Sequence, residues 1–225
     1  ASQCMSSAMG YGFQGQGQSE SVGAIFLGWL LGVLSPLIVD RIRNRYQEDE
    51  IRDGVYSELR ELRFTLLVAA YGFQSEFGKL DRSYYQWLIA NLETCDINAE
   101  SAKMLEVVKN IAAKDDSTFA LLVGEMRAKP GVGLNVRKYR MPYFDSKVGS
   151  LGIFDERKIA AMLDVRAQLE MFNEIVDDAR MYHRMTYELA GINHQQAVKS
   201  ANSCYVDLAS RAREIVNRAG LLLAI

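Results

Sequence analysis

The sequence predicts an all-α protein, in which an N-terminal transmembrane helix continues into a cytoplasmic antiparallel bundle of about five helices. Three observations lead to this prediction. Residues 22–39 carry no charged side chain. From Arg41 onward, apolar residues recur at steps of three and four, which is the period of one helix face. The chain holds only three prolines, and no strand-length stretch alternates apolar and polar side chains.

Residues 22–39 read VGAIFLGWLLGVLSPLIV, with Ser35 as the only polar side chain. At about 1.5 Å of rise per residue, a helix here would be roughly 27 Å long, close to the roughly 30 Å hydrocarbon core of a bilayer. We therefore predict a transmembrane helix at 22–39, after a disordered extracytoplasmic tail at 1–21 that is rich in Gly, Gln and Ser. The alternative is a buried helix of a water-soluble protein, because this run lies at the lower end of the spanning range.

The flanking charges predict the orientation of this helix. Residues 1–40 contain no Lys or Arg, whereas Arg41, Arg43 and Arg45 follow directly. Positive residues accumulate at the cytoplasmic ends of membrane spans. We therefore expect a single-pass protein of the bacterial inner (cytoplasmic) membrane, with the N-terminus outside and the α-helical domain at 40–225 in the cytoplasm. The three arginines would set this topology, and they could also attract the headgroups of anionic membrane lipid.

Small residues lie on one face of the predicted span. Ala24, Gly28 and Gly32 are four residues apart, and Gly28 to Gly32 matches the GxxxG pattern of closely packed membrane helices. This face predicts a homo-oligomer, or contact with another membrane protein. The alternative is that glycine is simply common in membrane helices. Cys4 would lie outside the cell, where it could pair between chains or stay a free thiol.

Charge balance and cysteine spacing argue against several classes of function. All 26 basic residues and all but two of the 28 acidic residues lie at 41–225. This domain therefore lacks the basic excess of a nucleic-acid-binding protein, and we predict no nucleic-acid partner. The three cysteines are far apart and form no CxxC pair, so neither a zinc ribbon nor a redox motif is indicated.

An apolar stripe from Val55 to Leu88 predicts a long helix that continues the span. Gly54, Gly72 and Gly78 are the positions at which this helix could bend or end. Such a stripe packs either into a bundle or into a parallel coiled coil with a second chain. Its phenylalanines and tyrosines favour the bundle, because they suit a broad core better than a narrow two-stranded seam.

Four further helices complete the predicted bundle, at about 98–113, 115–128, 155–190 and 194–223. Three of them begin with side chains that can cap a helix, at Asp96 or Asn98, Asp115, and Asp155. Gly191 follows the predicted helix at 155–190 and is expected to end it. The last helix ends in the apolar run Leu221 to Ile225, which predicts docking on the bundle or on another subunit.

Residues 129–154 predict one long irregular connection, since they hold two prolines and four glycines. Within it, Arg137, Lys138 and Arg140 alternate with aromatic side chains. They could bind an anionic headgroup, a nucleotide or a peptide carboxylate through charge and cation–π contacts. The alternative is that the aromatics anchor the connection on the bundle while the cations stay in water.

No sequence pattern indicates catalysis. His183 follows Asp178 by five residues, which is not a same-face helical spacing, and His194 lies beyond the break at Gly191. The acidic run at 170–178 has arginines three or four positions away, which indicates ion pairs on a solvated face. No phosphate-binding or metal-binding motif occurs. We therefore predict no enzyme activity, no metal site and no cofactor.

The segment MPYFDSKVGSLGIFDERKIAAMLDVRAQLEMFNEIV, taken with the span, resembles uncharacterised bacterial single-pass membrane proteins. Those proteins have an N-terminal span, a charged helix, a Pro-aromatic turn, a short helix that ends in a Gly-x-Leu step, and a long helix. The matching positions are Pro142, Phe144, Val148, Gly149 and Leu151. The resemblance implies this architecture over about 22–175 and no activity. From the residues alone, Phe144, Val148 and Leu151 would form one apolar helical face.

These observations predict a membrane-anchored helical scaffold or protein-interaction subunit of an oligomeric assembly, without catalysis. Two alternatives stay open. One is a subunit of a membrane pore or transport-associated complex, although conduits usually place polar groups at membrane depth. The other is a sensor of an anionic ligand or lipid that uses the loop at 136–144.

Overall fold

The computed structural model describes residues 18–95, 99–126 and 136–224, and the side chains at 18–25, 27, 31, 33 and 37 lie outside the description. The described residues contain only helices and connections, so the predicted all-α fold is confirmed. The chain divides into two compact units, Ala1–Glu50 and Ile51–Ile225, and each is described by itself.

Seven α-helices and one 3₁₀ helix make up the described part of the chain. Their bounds are α1 Gln18–Phe77, α2 Arg82–Glu93, α3 Ala99–Ala112, α4 Asp116–Glu125, α5 Pro142–Lys147, the 3₁₀ helix Val148–Ile153, α6 Glu156–Glu188 and α7 Gly191–Ala224. The expected number of about five helices was too low. The predicted stripe at 55–88 is divided between α1 and α2, and the predicted connection at 129–154 contains α5 and the 3₁₀ helix.

In the first unit, most of the large apolar side chains of α1 that the structure describes are exposed. Phe26 is 61 % exposed, Trp29 is 63 % exposed and Ile38 is 55 % exposed. Among the residues described, we find no helix that is both long enough and apolar enough to cross a membrane. The transmembrane helix at 22–39 stays a prediction.

The second unit has a single apolar core, to which α1, α2, α6 and α7 contribute side chains of zero exposure. These include Leu59 and Leu66 of α1, Tyr85 and Leu88 of α2, Phe172 and Val176 of α6, and Leu208 and Ile215 of α7. Helices α6 and α7 pack along one another as an antiparallel hairpin. At the end of α7, Leu222 is buried in the core, which confirms that this apolar end docks on the bundle.

Local capping signals place several helix ends where the sequence predicts them. Helix α1 ends at Phe77, directly before Gly78, one of the three expected stops. The start of α2 was not predicted: there the Asp81 carboxylate caps the helix by accepting a hydrogen bond from the backbone N–H of Tyr84. Asp115 caps α4 and Asp155 caps α6 in the same way. Asp96 and Asn98 lie outside the described residues.

The turn between α6 and α7 differs slightly from the prediction. Gly191 has a φ of +62°, in the left-handed region that favours glycine. It is the first residue of α7 rather than the residue that follows α6, because α6 already ends at Glu188. The last helix therefore begins three residues before His194.

The predicted irregular connection is wrong over 142–153. Pro142 lies in the first turn of α5. A backbone N–H at this position has no acceptor within the helix, so proline, which lacks the N–H, costs no hydrogen bond there. Phe144 and Leu151 are buried as expected, but Val148 is 44 % exposed. The expected shared face assumed one regular α-helix. At Val148 the backbone changes to a 3₁₀ helix, which has about 3.0 residues per turn, and this residue leaves the buried face.

Candidate functional site

The loop that carries the three candidate cations is held along α6 by side chains rather than by helical bonds of its own. The Asn173 amide pairs with the backbone of Tyr139 in both directions, at 3.0 Å to its N and 2.8 Å to its O. Arg180 Nη2 donates to the carbonyl of Val136 at 2.8 Å. The Tyr139 ring lies 5.8 Å from that of Phe172 between centroids. The Tyr139 ring thus anchors this loop on the bundle, as expected if the aromatics hold the connection in place.

The structure brings two of the three cations together and separates the third. Arg137 and Arg140 line one shallow cleft of about 290 Å³, whose wall also includes Glu58 and Glu61. Lys138 points to α6 instead, where its Nζ lies 2.5 Å from Asp177 Oδ2. All three cations therefore have acidic side chains nearby. Anion binding by this loop remains an untested prediction.

Glu58 of α1 holds the start of α5, which the sequence did not indicate. Its Oε1 accepts from the backbone N–H of Tyr143 at 2.9 Å, and its Oε2 accepts from that of Phe144 at 2.7 Å. The first N–H groups of a helix have no partner within the helix, so a carboxylate there satisfies them and complements the helix dipole. Glu58 thus supplies from another helix the cap that α5 lacks in its own sequence.

Further contacts fix the segment 142–153, which we call the clamp segment. Arg52 Nη2 of α1 donates to the carbonyl of Ile153 at 2.7 Å, and Arg166 Nε of α6 donates to Asp145 Oδ1 at 2.7 Å. A β-carbon added to Gly54 would lie 2.3 Å from the Tyr143 ring. Gly54, considered above as a bend in the helix, therefore provides room for an aromatic ring on α1.

The residues predicted to act at the membrane all belong to the first unit. Gly28 and Gly32 lie in α1 with nothing within 4 Å of an added β-carbon, whereas the side chain of Ala24 lies outside the description. Arg41, Arg43 and Arg45 are exposed. No described residue contradicts the proposed self-association face or the topology, and none tests them.

His194 and the half-buried Cys204 lie in surroundings that indicate structural roles. His194 Nδ1 lies 2.9 Å from the carbonyl of Thr186, across the turn between α6 and α7. The pKa of the Cys204 thiol is raised, chiefly by burial and then by Asp178 and Asp207, which disfavours the nucleophilic thiolate. Within the described ranges, no group of three or more His, Cys, Asp or Glu side chains could hold a metal ion.

Comparison with protein-family models, with curated proteins and with solved structures finds no match for this chain.

Proposed function

We propose that the protein is a membrane-anchored helical scaffold, a non-enzymatic interaction subunit of an oligomeric assembly. Its helix at 22–39 would hold it in the bacterial inner membrane, and its second unit would present helical surfaces on the cytoplasmic side. The observation that carries this proposal is the exposure of large apolar side chains on an uncharged stretch of α1.

The exposed side chains occur on opposite faces of that stretch. Nine residues separate Trp29 from Ile38, which is two and a half turns at about 3.6 residues per turn. These side chains are 63 % and 55 % exposed. The transfer of apolar surface from water into an apolar environment such as lipid is favourable by about 25 cal/mol per Å². A protein partner usually covers one stripe of a helix, whereas lipid surrounds it, so exposure on opposite faces favours a bilayer.

The charges after this stretch support the proposed orientation. Arg41, Arg43 and Arg45 are exposed and follow the last apolar residues directly. Their position fits the cytoplasmic boundary of a span, and each is worth about 1 kcal/mol of attraction to an anionic lipid surface.

The second unit supports a scaffold role over the ligand-sensor alternative. Its core is continuous across α1, α2, α6 and α7. The loop cations at 137, 138 and 140 lie near Glu58, Glu61 and Asp177, which reduces their attraction for an anionic ligand. Among the contacts of the described residues, none favours a pore or transport-associated subunit.

Membrane extraction tests the anchor. Membranes from cells that express the full chain are washed with alkaline carbonate, and we expect the protein to stay in the pellet. The double variant Trp29→Lys/Leu34→Lys should be released, because charges at membrane depth cost several kcal/mol. Val107→Lys/Leu121→Lys is the matched control, since these positions on α3 and α4 are 48 % and 70 % exposed, comparable to Trp29 and Leu34 at 63 % and 39 %. Release of the wild-type protein would contradict the anchor.

Labelling of intact cells tests the orientation separately. A membrane-impermeant maleimide should label Cys4 in a variant whose other two cysteines are serine. It should not label Lys103→Cys, an exposed position on α3, in a chain without native cysteines. The reverse pattern would place the second unit outside.

A further inference from the structure

Arg63 of α1 is a buried cation in the second unit. Only 6 % of the residue is exposed, and it and Ser101 are the buried polar residues among those described. Its Nη1 donates to the carbonyl of Thr94 at 3.2 Å. Its Nη2 donates to Asn91 Oδ1 at 3.0 Å and to Thr94 Oγ1 at 2.7 Å. All three acceptors are neutral, and Thr94 is the C-terminal cap of α2.

These bonds leave part of the guanidinium without an acceptor. A guanidinium has five N–H donors, and three are accounted for. The buried Nε has no hydrogen-bond partner, and Arg63 forms no ion pair with any described carboxylate. A buried charge without a counter-charge is unfavourable. The side chain is therefore suited to receive an anion.

A cleft of about 680 Å³ opens beside this side chain, within the range of about 300–1,000 Å³ typical of ligand pockets. We call it the Arg63 cleft. Asn91, Thr94 and Asn217 line its polar part, and the apolar part is lined by Leu221, Leu223 and Ala224 at the end of α7. One cation and an apolar wall thus lie in the same cleft.

Gly220 of α7 lies directly against the guanidinium of Arg63. An added β-carbon would lie 3.1 Å from Arg63 Nη2 and 3.2 Å from its Nε, closer than ordinary van der Waals contact. Glycine is unfavourable in a helix interior because it loses more backbone freedom than alanine. Here it leaves room for the arginine at the edge of the cleft.

We propose that the Arg63 cleft binds a monocarboxylate with an apolar chain, such as a medium-chain fatty acid. The carboxylate pairs with the guanidinium charge of Arg63 and accepts a hydrogen bond from its second Nη1 N–H, and the chain lies along Leu221 and Leu223. Guanidinium groups form strong charge-assisted hydrogen bonds to carboxylates. A single buried cation balances a single negative charge, which favours a monoanion over a phosphate dianion. This site is independent of the membrane anchor.

Calorimetric titration of the full chain in phosphatidylcholine nanodiscs tests the site, with the heat of empty nanodiscs subtracted. Octanoate is the probe, and octanol is the uncharged control of equal chain length. We expect octanoate to bind at least about tenfold more tightly than octanol, because only octanoate carries a negative charge that can pair with the Arg63 guanidinium. Arg63→Gln should remove this preference.

Leu221→Glu is a second test of the site, which does not depend on whether the Arg63→Gln variant folds. Leu221 is 70 % exposed, so the change leaves the core intact while it places a negative charge beside the proposed carboxylate. We expect the affinity for octanoate to fall by at least about tenfold. Leu121→Glu on α4, also 70 % exposed, should leave it unchanged. No octanoate binding, equal binding of octanol, or wild-type affinity in Leu221→Glu would each overturn the proposal.

Discussion

Glu58 Oε2 accepts a hydrogen bond from the backbone N–H of Phe144 at 2.7 Å, across 86 positions of the chain. Phe144 itself is fully buried. The carboxylate therefore fixes the start of α5 at the point where its main core side chain enters the bundle. This long-range contact thus fixes the first turn of the clamp segment.

Removal of this cap should destabilise the second unit. Glu58→Ala leaves two backbone N–H groups without their acceptor, and each such group costs about 1–3 kcal/mol when buried. Because both N–H groups are only partly buried, we expect a loss of about 1–3 kcal/mol in total in urea unfolding of the full chain. Glu61→Ala, an exposed glutamate one turn further along α1, is the control and should change stability by less than about 0.5 kcal/mol. Equal effects of the two variants would contradict the capping role.

Two glycines of α1 should respond to alanine in opposite directions. Gly54→Ala places a β-carbon within 2.3 Å of the Tyr143 ring, so the ring must leave its position and stability should fall. Gly72→Ala meets nothing within 4 Å and should stabilise the helix by roughly 0.5–1 kcal/mol. Thermal unfolding of the two variants gives the comparison.

The double variant Gly54→Ala/Tyr143→Ala identifies the cause of the first effect. If the clash with the ring destabilises Gly54→Ala, the substitution should cost less in a chain that already lacks the ring. An unchanged cost would show that the effect arises elsewhere in α1.

The sequence predicts those elements whose signals are local. Asp115 and Asp155 each cap a helix through N–H groups two or three residues away, and Gly78 follows the end of α1 directly. The clamp segment escaped prediction because its cap, Glu58, lies 85 positions away from the residue it first contacts. Proline and glycine in that segment gave the local signal of a loop, and the tertiary contact outweighs it.

The position of Arg63 on the buried face of α1 could have been predicted from its spacing to apolar residues. It lies four residues after Leu59 and three before Leu66, both fully buried, so it shares their helix face. The predicted stripe from Val55 to Leu88 holds only apolar residues, so Arg63 was not predicted to lie in the core. The cleft itself could not be predicted, because α1, α2 and α7 each contribute residues that are distant in the chain.

Acid should weaken the start of α4 through Asp115. Its carboxylate accepts from the side chains and backbone N–H groups of Ser117 and Thr118, and these bonds hold its pKa well below the usual range. A carboxyl with a lowered folded-state pKa stabilises above the unfolded-state value of about 3.9, and this stability is lost as pH falls toward the folded-state pKa. The protection factors of the amides in α4, which are corrected for the intrinsic pH dependence of exchange, should therefore fall below about pH 4.

Asp115→Asn tests this assignment. The amide does not ionise, so in the variant the protection factors of α4 should lose part of their pH dependence. Glu106→Gln, a matched carboxyl-to-amide change at an exposed position on α3, should retain it. Identical pH profiles for Asp115→Asn and the wild-type protein would contradict the role of this cap.

Self-association should depend on the face that carries Gly28 and Gly32. An added β-carbon at either position meets nothing within 4 Å in the single chain, so larger side chains can be accommodated without strain in the helix itself. Their effect would arise only where a second helix approaches closely. Gly28→Ile and Gly32→Ile should therefore reduce resonance energy transfer between labelled chains in liposomes.

Leu34→Phe is the control for these variants. It adds bulk two residues beyond Gly32, at about 200° around the helix, and should leave the transfer unchanged. Transfer that persists in both isoleucine variants would show that the chains associate through another surface or not at all.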